Sequence, residues 1–418
     1  MSLLLQSLPP GKHHVQFSYI GFETYAENVR VRPGETADLQ IELLVAEIRG
    51  DDIEVIGERV SPTDMTPVGS FGTRVTELAR IPTVGQPDLM RSLQLLPGVQ
   101  AGSENSAGLY VRGGTPGQNL ILLDGITVYN PSHLGGVFSN FIVDGVKEAE
   151  LIKGGYNAEY GGRLSAVLNV ISREGNRKRF KGKANLSLLS AQTTLEGPFY
   201  KGAWLLSGRR TYFDIVLPKV LPENIASRIP PYYFYDIQSH IFSDITPQDR
   251  VSISFYNGID DLIFDTFGLA AKWGNNTVST HYRRVFSERL IGNFLIANSI
   301  FFTEFGLGGT SGIQSKNEID DITVSGDMTW FKSPQTTVKF GMQHKTLGFQ
   351  YLNSFQDSMQ FEIKTRPSEF AQYMKFKYAP NNVWIIEPGL RLSHYNVFPD
   401  SLFPDLRLGV KYLLTDDR

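Results

Sequence analysis

Cysteine is absent from all 418 residues, which excludes disulfide bonds, thiol catalysis and cysteine-ligated zinc together. No apolar run reaches the ~18 residues that a helical membrane span needs, although 41% of the residues are hydrophobic. Basic charge is not in excess either, because the formal net charge is −3, whereas a nucleic-acid-binding surface needs a concentrated basic face. We therefore expect neither a helical membrane protein nor a partner of nucleic acid.

Catalytic and metal-binding motifs are also missing. Gly113 to Gln118 lacks the Gly-Lys-Ser/Thr ending of a phosphate loop, and no H-E-x-x-H occurs. His13 and His14 are adjacent, so on a strand they point to opposite faces, which is unsuited to shared metal ligation. The acidic pairs Asp260-Asp261 and Asp320-Asp321 could bind calcium at loop ends, but a solvated loop is the favoured alternative for both. We expect no enzymatic activity, no cofactor and no metal site.

Strict alternation of apolar and polar residues dominates the chain from Lys181 onward. Ile322 to Trp330 places apolar or small residues at even positions and mostly polar residues at odd ones. The same pattern recurs in 338–343 and in 406–414. Such segments suit strands with one face in lipid and one in water. One or two of them could belong to a soluble sheet, so the connections between segments must distinguish a soluble sheet from a membrane barrel.

Two kinds of connection alternate along this region. Tight turns are predicted at 197–202, 246–250, 287–289, 332–335 and 379–382, and longer loops around 214–234, 259–275, 306–317, 351–366 and 397–403. A barrel in the outer membrane has short periplasmic turns and long external loops. Aromatic residues near the tight turns are predicted to form an interfacial girdle, with ordinary core packing as the alternative: Trp204, Phe286, Trp330, Phe331, Tyr378, Trp384 and Tyr412.

The segments number about eleven, each of roughly 10 to 15 residues, which is enough to cross a bilayer. Single-chain bacterial barrels have even strand numbers, so we expect the barrel to continue beyond Arg418. Met1 to Leu5 lacks the basic region of a secretory signal, so we also expect upstream sequence. The predicted fold is an all-β dominated membrane protein whose incomplete antiparallel transmembrane β-barrel occupies residues 175–418.

Two shorter units precede a glycine-rich one. Residues 1–48 contain "PPGKHHVQFSYIGFE" and "ADLQIEL", which resemble the C-terminal part of a carboxypeptidase regulatory-like β-sandwich. Residues 49–70 have the composition of a linker. Within the linker, Asp52 to Gly57 forms a short extended apolar patch. It is either an edge strand of the preceding sandwich or a strand offered to the sheet edge of a partner.

Residues 71–174 form the third unit. Leu89, Leu93 and Leu96 recur at helical spacing before Pro97-Gly98, which predicts a short helix that closes there. Glycine then becomes dense, and strands run between the glycines. The continuous apolar character of 120–123 indicates a strand that is buried on both faces.

Three long motifs in this unit carry a family resemblance. They are "LMRSLQLLPGVQ" from Leu89, "GLYVRGGTPGQNLILLDGITVYN" from Gly108 and "VKEAELIKGGYNAEYGGRLSAVLNVISREG" from Val146. Together they resemble the α+β plug domain of TonB-dependent outer-membrane receptors of the kind found in Bacteroidetes. The order of sandwich, short box, plug and barrel matches that family as well.

The resemblance implies roles for particular residues. The TonB box corresponds to Asp52, Ile53, Glu54, Val55, Ile56 and Gly57. Arg112 and Gly113 match the plug motif whose arginine pairs with barrel carboxylates and locks the plug. Substrate binding is expected at two plug apices, with packing against the barrel wall as the alternative for each residue: Glu104, Asn105, Tyr129, Asn130 and His133.

The resemblance also implies a function in the outer membrane, namely TonB-dependent active import of a specific nutrient. The expected partners are TonB with ExbB and ExbD, outer-membrane lipid, a small or oligomeric nutrient, and a surface-exposed lipoprotein that binds substrate. The alternative is an adhesion or scaffold protein on the same frame without energised transport. Siderophore, glycan, peptide and cobalamin all remain open as substrates.

Overall fold

The computed structural model describes residues 9–17, 25–37, 39, 41, 70–74, 87–103, 106–187, 189–226, 229–264, 268–309, 312–356, 358–381 and 383–412. The chain forms two compact units, Met1–Ser61 and Pro62–Arg418. In the first unit, β1 (Gly11–Phe17) pairs antiparallel with β2 (Tyr25–Val31). Two strands do not define a sandwich, so the regulatory-like module and the bounds of the four predicted units stay predictions.

The second unit begins with the glycine-rich region, called the plug below. Its strands are β3 (Ser70–Arg74), β4 (Val99–Gln100), β5 (Tyr110–Val111), β6 (Leu120–Leu123), β7 (Ile126–Thr127), β8 (Ser132–His133), β9 (Phe138–Ser139), β10 (Val146–Ile152) and β11 (Val167–Ser172). Five of them form one sheet in the order β3-β10-β11-β6-β7, in which β11 and β6 run parallel. Leu120, Ile121 and Leu123 are buried, which confirms the predicted two-sided burial of this segment.

The plug helix α1 (Leu89–Leu93) is capped by Asp88, whose Oδ1 accepts a hydrogen bond from the Arg91 backbone N–H at 3.0 Å. Its apolar residues Leu89, Met90 and Leu93 pack into the plug core. The helix ends three residues earlier than the leucine spacing predicts, because the chain tightens after Leu93 into turns with i to i+3 hydrogen bonds.

The rest of the chain forms one large antiparallel sheet, called the barrel sheet. Its strands are β12 (Lys181–Leu186), β13 (Ser190–Phe199), β14 (Gly202–Thr211), β15 (Tyr232–Asp244), β16 (Asp249–Phe264), β17 (Leu269–Ser287), β18 (Leu290–Leu307), β19 (Ile313–Ser333), β20 (Thr336–Phe355), β21 (Ser358–Thr365), β22 (Ser368–Tyr378), β23 (Trp384–Tyr395) and β24 (Leu402–Tyr412). Consecutive strands pair, except that β20 pairs with both β21 and β22. Two short helices, α2 (Phe213–Val220) and α3 (Glu223–Ala226), lie between β14 and β15. The β-dominated fold class is thereby confirmed.

The strand count and several loop predictions were wrong. Within the described residues the barrel sheet has thirteen strands rather than about eleven, and β21 lies inside the loop predicted at 351–366. The predicted loop at 259–275 is mostly strand, because β16 continues to Phe264 and β17 begins at Leu269. Likewise β19 begins at Ile313, inside the loop predicted at 306–317. These strands continue well beyond the roughly 9–11 residues that cross a bilayer. In the additional residues, the alternation of apolar and polar side chains differs from that in the membrane-crossing part.

A band of exposed apolar side chains lies on the face of the barrel sheet that points away from the plug. It includes Ile253, Ile296, Val324 and Met342, as expected for a surface against lipid. Most of the predicted girdle residues are exposed near the tight turns: Phe286, Trp330, Tyr378, Trp384 and Tyr412. No helix in the described part of the chain is long and apolar enough to cross a membrane.

Candidate functional site

One buried contact between plug and barrel sheet is centred on His133 at the end of β8. Its Nε2 lies 2.8 Å from Asp236 Oδ1 and its Nδ1 lies 2.6 Å from Asp260 Oδ2. The three side chains are at most 1% exposed. Because an ionised carboxylate only accepts hydrogen bonds, both ring nitrogens donate and the imidazole carries a proton on each. The imidazole ring of His133 also stacks on the Phe234 ring of β15, with the two ring centroids 4.1 Å apart.

Further buried groups complete this cluster. Arg209 of β14 donates through Nε at 2.8 Å and Nη2 at 2.5 Å to Asp236 Oδ2, and its Nη2 also donates to the plug carbonyl of Ser139 at 2.7 Å. The hydroxyl of Tyr256 donates to Asp236 Oδ1 at 2.7 Å. Asp236 is therefore surrounded by donors, which is the condition under which a buried carboxylate can stay ionised.

The charge balance of the cluster favours the protonated histidine. Burial by itself lowers the pKa of His133, but the carboxylates of Asp236 and Asp260 outweigh burial and raise that pKa above its ordinary value. With Arg209, the cluster then holds two cations and two carboxylates. A neutral sum is expected where charges are withdrawn from water. The arrangement joins the plug to β14, β15 and β16 through buried hydrogen bonds and ion pairs, so it can hold the plug in place.

A second contact is centred on Tyr129. Its hydroxyl donates to Asp321 Oδ2 of β19 at 2.8 Å, and its backbone N–H donates to Asn275 Oδ1 at 3.2 Å. Lys345 Nζ donates to the same Asp321 oxygen and to the Thr127 hydroxyl, both at 2.9 Å. Burial and then the Asp321 carboxylate raise the pKa of Tyr129, so its hydroxyl remains a donor.

A third contact lies at the tyrosine-glycine-glycine motif. Glu159 Oε2 lies 3.3 Å from Lys339 Nζ and 3.2 Å from Lys375 Nζ. Burial raises the pKa of the Glu159 carboxyl, but the two ammonium groups outweigh it and lower the pKa to about 2. Arg391 of β23 donates to the Glu159 carbonyl at 3.3 Å. Gly161 permits this approach, because a Cβ there would lie 2.5 Å from Arg391 Nε.

The aspartate-glycine pair that follows β6 connects β6 to β11 within the plug and to β17 of the barrel sheet. Asp124 accepts hydrogen bonds from the Ser172 backbone N–H at 2.8 Å and from its hydroxyl at 2.6 Å. The Asp124 carbonyl lies 2.6 Å from His281 Nε2 of β17. The next residue, Gly125, has φ +77, a conformation that glycine adopts without strain.

The predicted substrate residues are placed very differently from one another. Asn130 is exposed at the plug surface, whereas His133 is enclosed by barrel residues and Tyr129 is half-buried against Asp321. For His133 and Tyr129 this placement matches the packing alternative: neither polar group is free to meet a solute in this arrangement. Glu104 and Asn105 lie outside the described residues.

The predicted plug lock is exposed rather than paired. Arg112 has φ 49 and precedes Gly113 at φ +83, so the motif forms a left-handed turn that favours glycine at its second position. Among the residues that the structure describes, no ion pair involves the Arg112 guanidinium, and the lock stays a prediction. The predicted TonB box, Asp52 to Gly57, lies outside the described residues.

The acidic pairs at 260–261 and 320–321 predict solvated loops, and for Asp260 and Asp321 this prediction is wrong: they are 1% and 2% exposed, lie in strands and contact the plug. The third barrel partner, Asp236, is part of no motif. A usable signal exists in β15, where Phe234, Asp236, Gln238 and His240 alternate with residues that face away from the plug. Ionisable residues at inward positions of a transmembrane strand point towards the lumen, so they are candidates for contact with whatever fills it.

Comparisons with known proteins agree with this arrangement. Residues 72–167 match the family model described as TonB-dependent Receptor Plug Domain. Over 181 residues the chain is 27% identical to the TonB-dependent transporter Oar of Myxococcus xanthus, and this stretch covers 42% of the chain and 17% of that relative. The chain thus spans well under two thirds of the relative's length.

Solved structures share the fold at low sequence identity. The siderophore receptor PirA from Pseudomonas aeruginosa superposes with a TM-score of 0.62 at 16% identity, covering 83% of this chain and 60% of PirA. A mutant of the ferric enterobactin receptor PfeA from the same organism gives 0.64 at 16% identity, covering 84% and 60%. The outer membrane transporter YddB from Escherichia coli gives 0.62 at 11% identity, covering 84% and 59%.

Proposed function

We propose that this chain, which has the plug domain and the barrel fold of TonB-dependent outer-membrane receptors, belongs to an energised importer of a specific nutrient. The observation that carries the proposal is the seating of the plug. Contacts at His133, Tyr129 and Glu159 fix three separate parts of the plug to the inward face of the barrel sheet. A plug held in this way closes the lumen until work is done on it.

The work comes from outside the outer membrane, which has no ATP. TonB, with the ExbB and ExbD motor, supplies it by pairing with the box at Asp52 to Gly57 and pulling on the plug. Pairing through backbone hydrogen bonds needs only a short extended segment. Arg112 and Gly113 form a locking motif for the plug within this mechanism.

The proposed solute binds above the plug, on the side of the barrel sheet opposite to the tight turns. Asn130 is the apex residue whose exposure supports this role, and Glu104 and Asn105, which lie outside the described residues, are proposed as further binding residues. The proposed substrate classes are iron chelates, glycans, peptides and cobalamin, and the likeness in fold to a siderophore receptor supports the first of them.

Deletion of Ile53 to Gly57 tests the proposal. We expect the deletion to abolish proton-gradient-dependent accumulation of the imported nutrient and to leave surface binding of that nutrient intact. The matched control is a deletion of the same length in the predicted linker, Thr63 to Pro67, which shortens the chain equally but keeps the box.

Unchanged accumulation in the box deletion contradicts the assignment of the box. Accumulation that persists in both deletions and also in the presence of a proton uncoupler contradicts energised import altogether. The second result is the one expected of an adhesion or scaffold protein.

A further inference from the structure

Several strands of the barrel sheet extend far beyond the membrane. β17 to β20 contain 18 to 21 residues, whereas roughly 9–11 residues cross a bilayer. The excess lies at the ends away from the tight turns. We call these ends the collar; it comprises the strand residues 261–264, 269–275, 301–307, 313–319, 347–355 and 358–365.

Strand register assigns each collar residue to a face, because residues directly opposite in an antiparallel pair share one face. Asp260 contacts the plug and therefore points inward, and it is opposite Trp273. Trp273 is opposite Thr303, which in turn is opposite Asn317. Continuing the same row, Asn317 is opposite Tyr351 and Tyr351 is opposite Ile363.

The neighbouring inward rows follow from the same register. Ala271, Phe305, Ser315 and Asn353 form one row that ends at Phe361. The row nearest the plug contains Ile319 and Phe349. The independent contacts of Asp321 and Lys345 with the plug place these rows on the inward face as well.

Charge is segregated between the two faces of the collar, and the inward acid of the Trp273 row, Asp260, lies just outside the collar positions, where it is buried against His133. At the collar positions just defined, every Asp, Glu, Lys and Arg occupies an outward position. Lys316 and Glu304 form an outward ion pair at 3.3 Å across β18 and β19. Glu362 and Lys364 of β21 are opposite Leu352 and Gln350, which are outward too.

The inward face of the collar is apolar, aromatic and accessible. Phe305 is 44% exposed, Phe361 51% and Ile363 47%. Tyr351 and Phe361 contact each other edge to face at 6.2 Å. The polar side chains between the rings are amides and hydroxyls, such as Asn317 and Asn353, which are neutral donors and acceptors.

We propose that the collar is a selectivity surface for an uncharged amphiphilic solute that presents aromatic or aliphatic groups. The proposal rests on the proposed import function and narrows its substrate class. An apolar solute gains from burial against the exposed rings. An anionic solute loses water there and meets no cation on the inward collar positions, so its transfer is unfavourable. The cation at the floor, Lys345, is already paired with Asp321.

The chain offers a specific optical probe for binding. Trp273 is the collar tryptophan, and the chain has four tryptophans in all. We would titrate the purified full-length receptor in detergent with N-acetyl-diphenylalanine amide, which is neutral, and with the free acid of the same molecule, which is anionic. Binding is measured as a change in Trp273 emission, with Trp273→Phe as the blank for the other tryptophans and for partition of the probes into micelles.

We expect the neutral amide to bind at least about tenfold more tightly than the acid, because desolvation of an unpaired charge disfavours binding. Two isosteric variants then add one carboxylate each. Asn353→Asp, on the inward face, should weaken binding of the amide by roughly tenfold for the same reason. Gln350→Glu, on the outward face, should leave it within about twofold, since exposed charges are screened.

Equal or tighter binding of the acid overturns the proposal, as does a Trp273 signal that responds to neither probe. Equal effects of Asn353→Asp and Gln350→Glu also overturn it, because they would mean that the face does not matter. These equilibria need no energy source. Failure here therefore leaves the import proposal standing, and failure of the box deletion leaves the collar result unaffected.

Discussion

Replacing His133 with leucine removes the histidine of the central plug contact while keeping a side chain of similar bulk. Two hydrogen bonds are lost, to Asp236 at 2.8 Å and to Asp260 at 2.6 Å. Both carboxylates stay buried. Asp236 keeps Arg209 and Tyr256, and Asp260 keeps the backbone N–H of Leu134 at 3.0 Å.

The remaining donors set the size of the effect. Removing one partner from a buried ion pair costs about 3–5 kcal/mol when the other charge is left unsatisfied. Because both aspartates keep other donors, we expect the lower end, about 3 kcal/mol. With about 1.4 kcal/mol per factor of ten, local opening of the plug around β8 and β9 should become roughly a hundredfold more frequent.

Amide hydrogen exchange of residues 132–139 measures this opening. The control is His344→Leu, because His344 is exposed on the outward face of β20 and has no contact with the plug. Exchange should accelerate in the first variant and remain unchanged in the second. Equal exchange in both variants would refute the role of His133 as an anchor.

Three other plug contacts give further testable predictions. The Glu159 pKa is lowered, so its contribution to plug docking is present above the ordinary value of 4.5 and is lost as the pH falls towards about 2; exchange of residues 156–162 in an acid series checks this. Tyr129→Phe removes a hydrogen bond to Asp321 that is worth about 1.5–3 kcal/mol because the acceptor is charged, and exchange of residues 127–130 should rise by roughly ten- to a hundredfold. Gly161→Ala should displace Arg391, since the new Cβ would lie 2.5 Å from its Nε. We expect the unfolding temperature of the barrel, measured by gel shift, to fall by a few degrees. The control Gly117→Ala, where nothing lies within 4 Å of the new Cβ, should leave that temperature unchanged.

Periodicity was sufficient to predict the tight turns and the parts of the barrel strands next to them, but not β21 or the far ends of β16 to β20. Alternation in 322–330 and 338–343 is a local property, and both segments are strands. The external loops were predicted too long because the polarity reverses above the membrane. Phe305 and Tyr351 face inward there while Glu304 faces outward, so a rule that assigns polar residues to the lumen no longer identifies the strand.

The plug contacts could not be predicted, because they join residues that are distant in sequence. His133 lies 103 residues from Asp236 and 127 from Asp260, and no local pattern encodes such a pairing. The sequence of Tyr129 to His133 predicts an exposed loop with aromatic and imidazole groups. Only the fold shows that two of these side chains are enclosed by the barrel sheet.

Disulfide cross-linking tests the seating of the plug on the barrel wall most directly. The chain has no cysteine, and a Cβ at Gly389 of β23 would lie 3.1 Å from the Ala158 Cβ of the plug, slightly below the usual separation of about 3.5–4.5 Å in a disulfide. We expect the double variant Ala158→Cys, Gly389→Cys to cross-link nearly completely on mild oxidation in isolated outer membranes, and neither single variant to do so. A correctly folded double variant that stays reduced would contradict the docked plug.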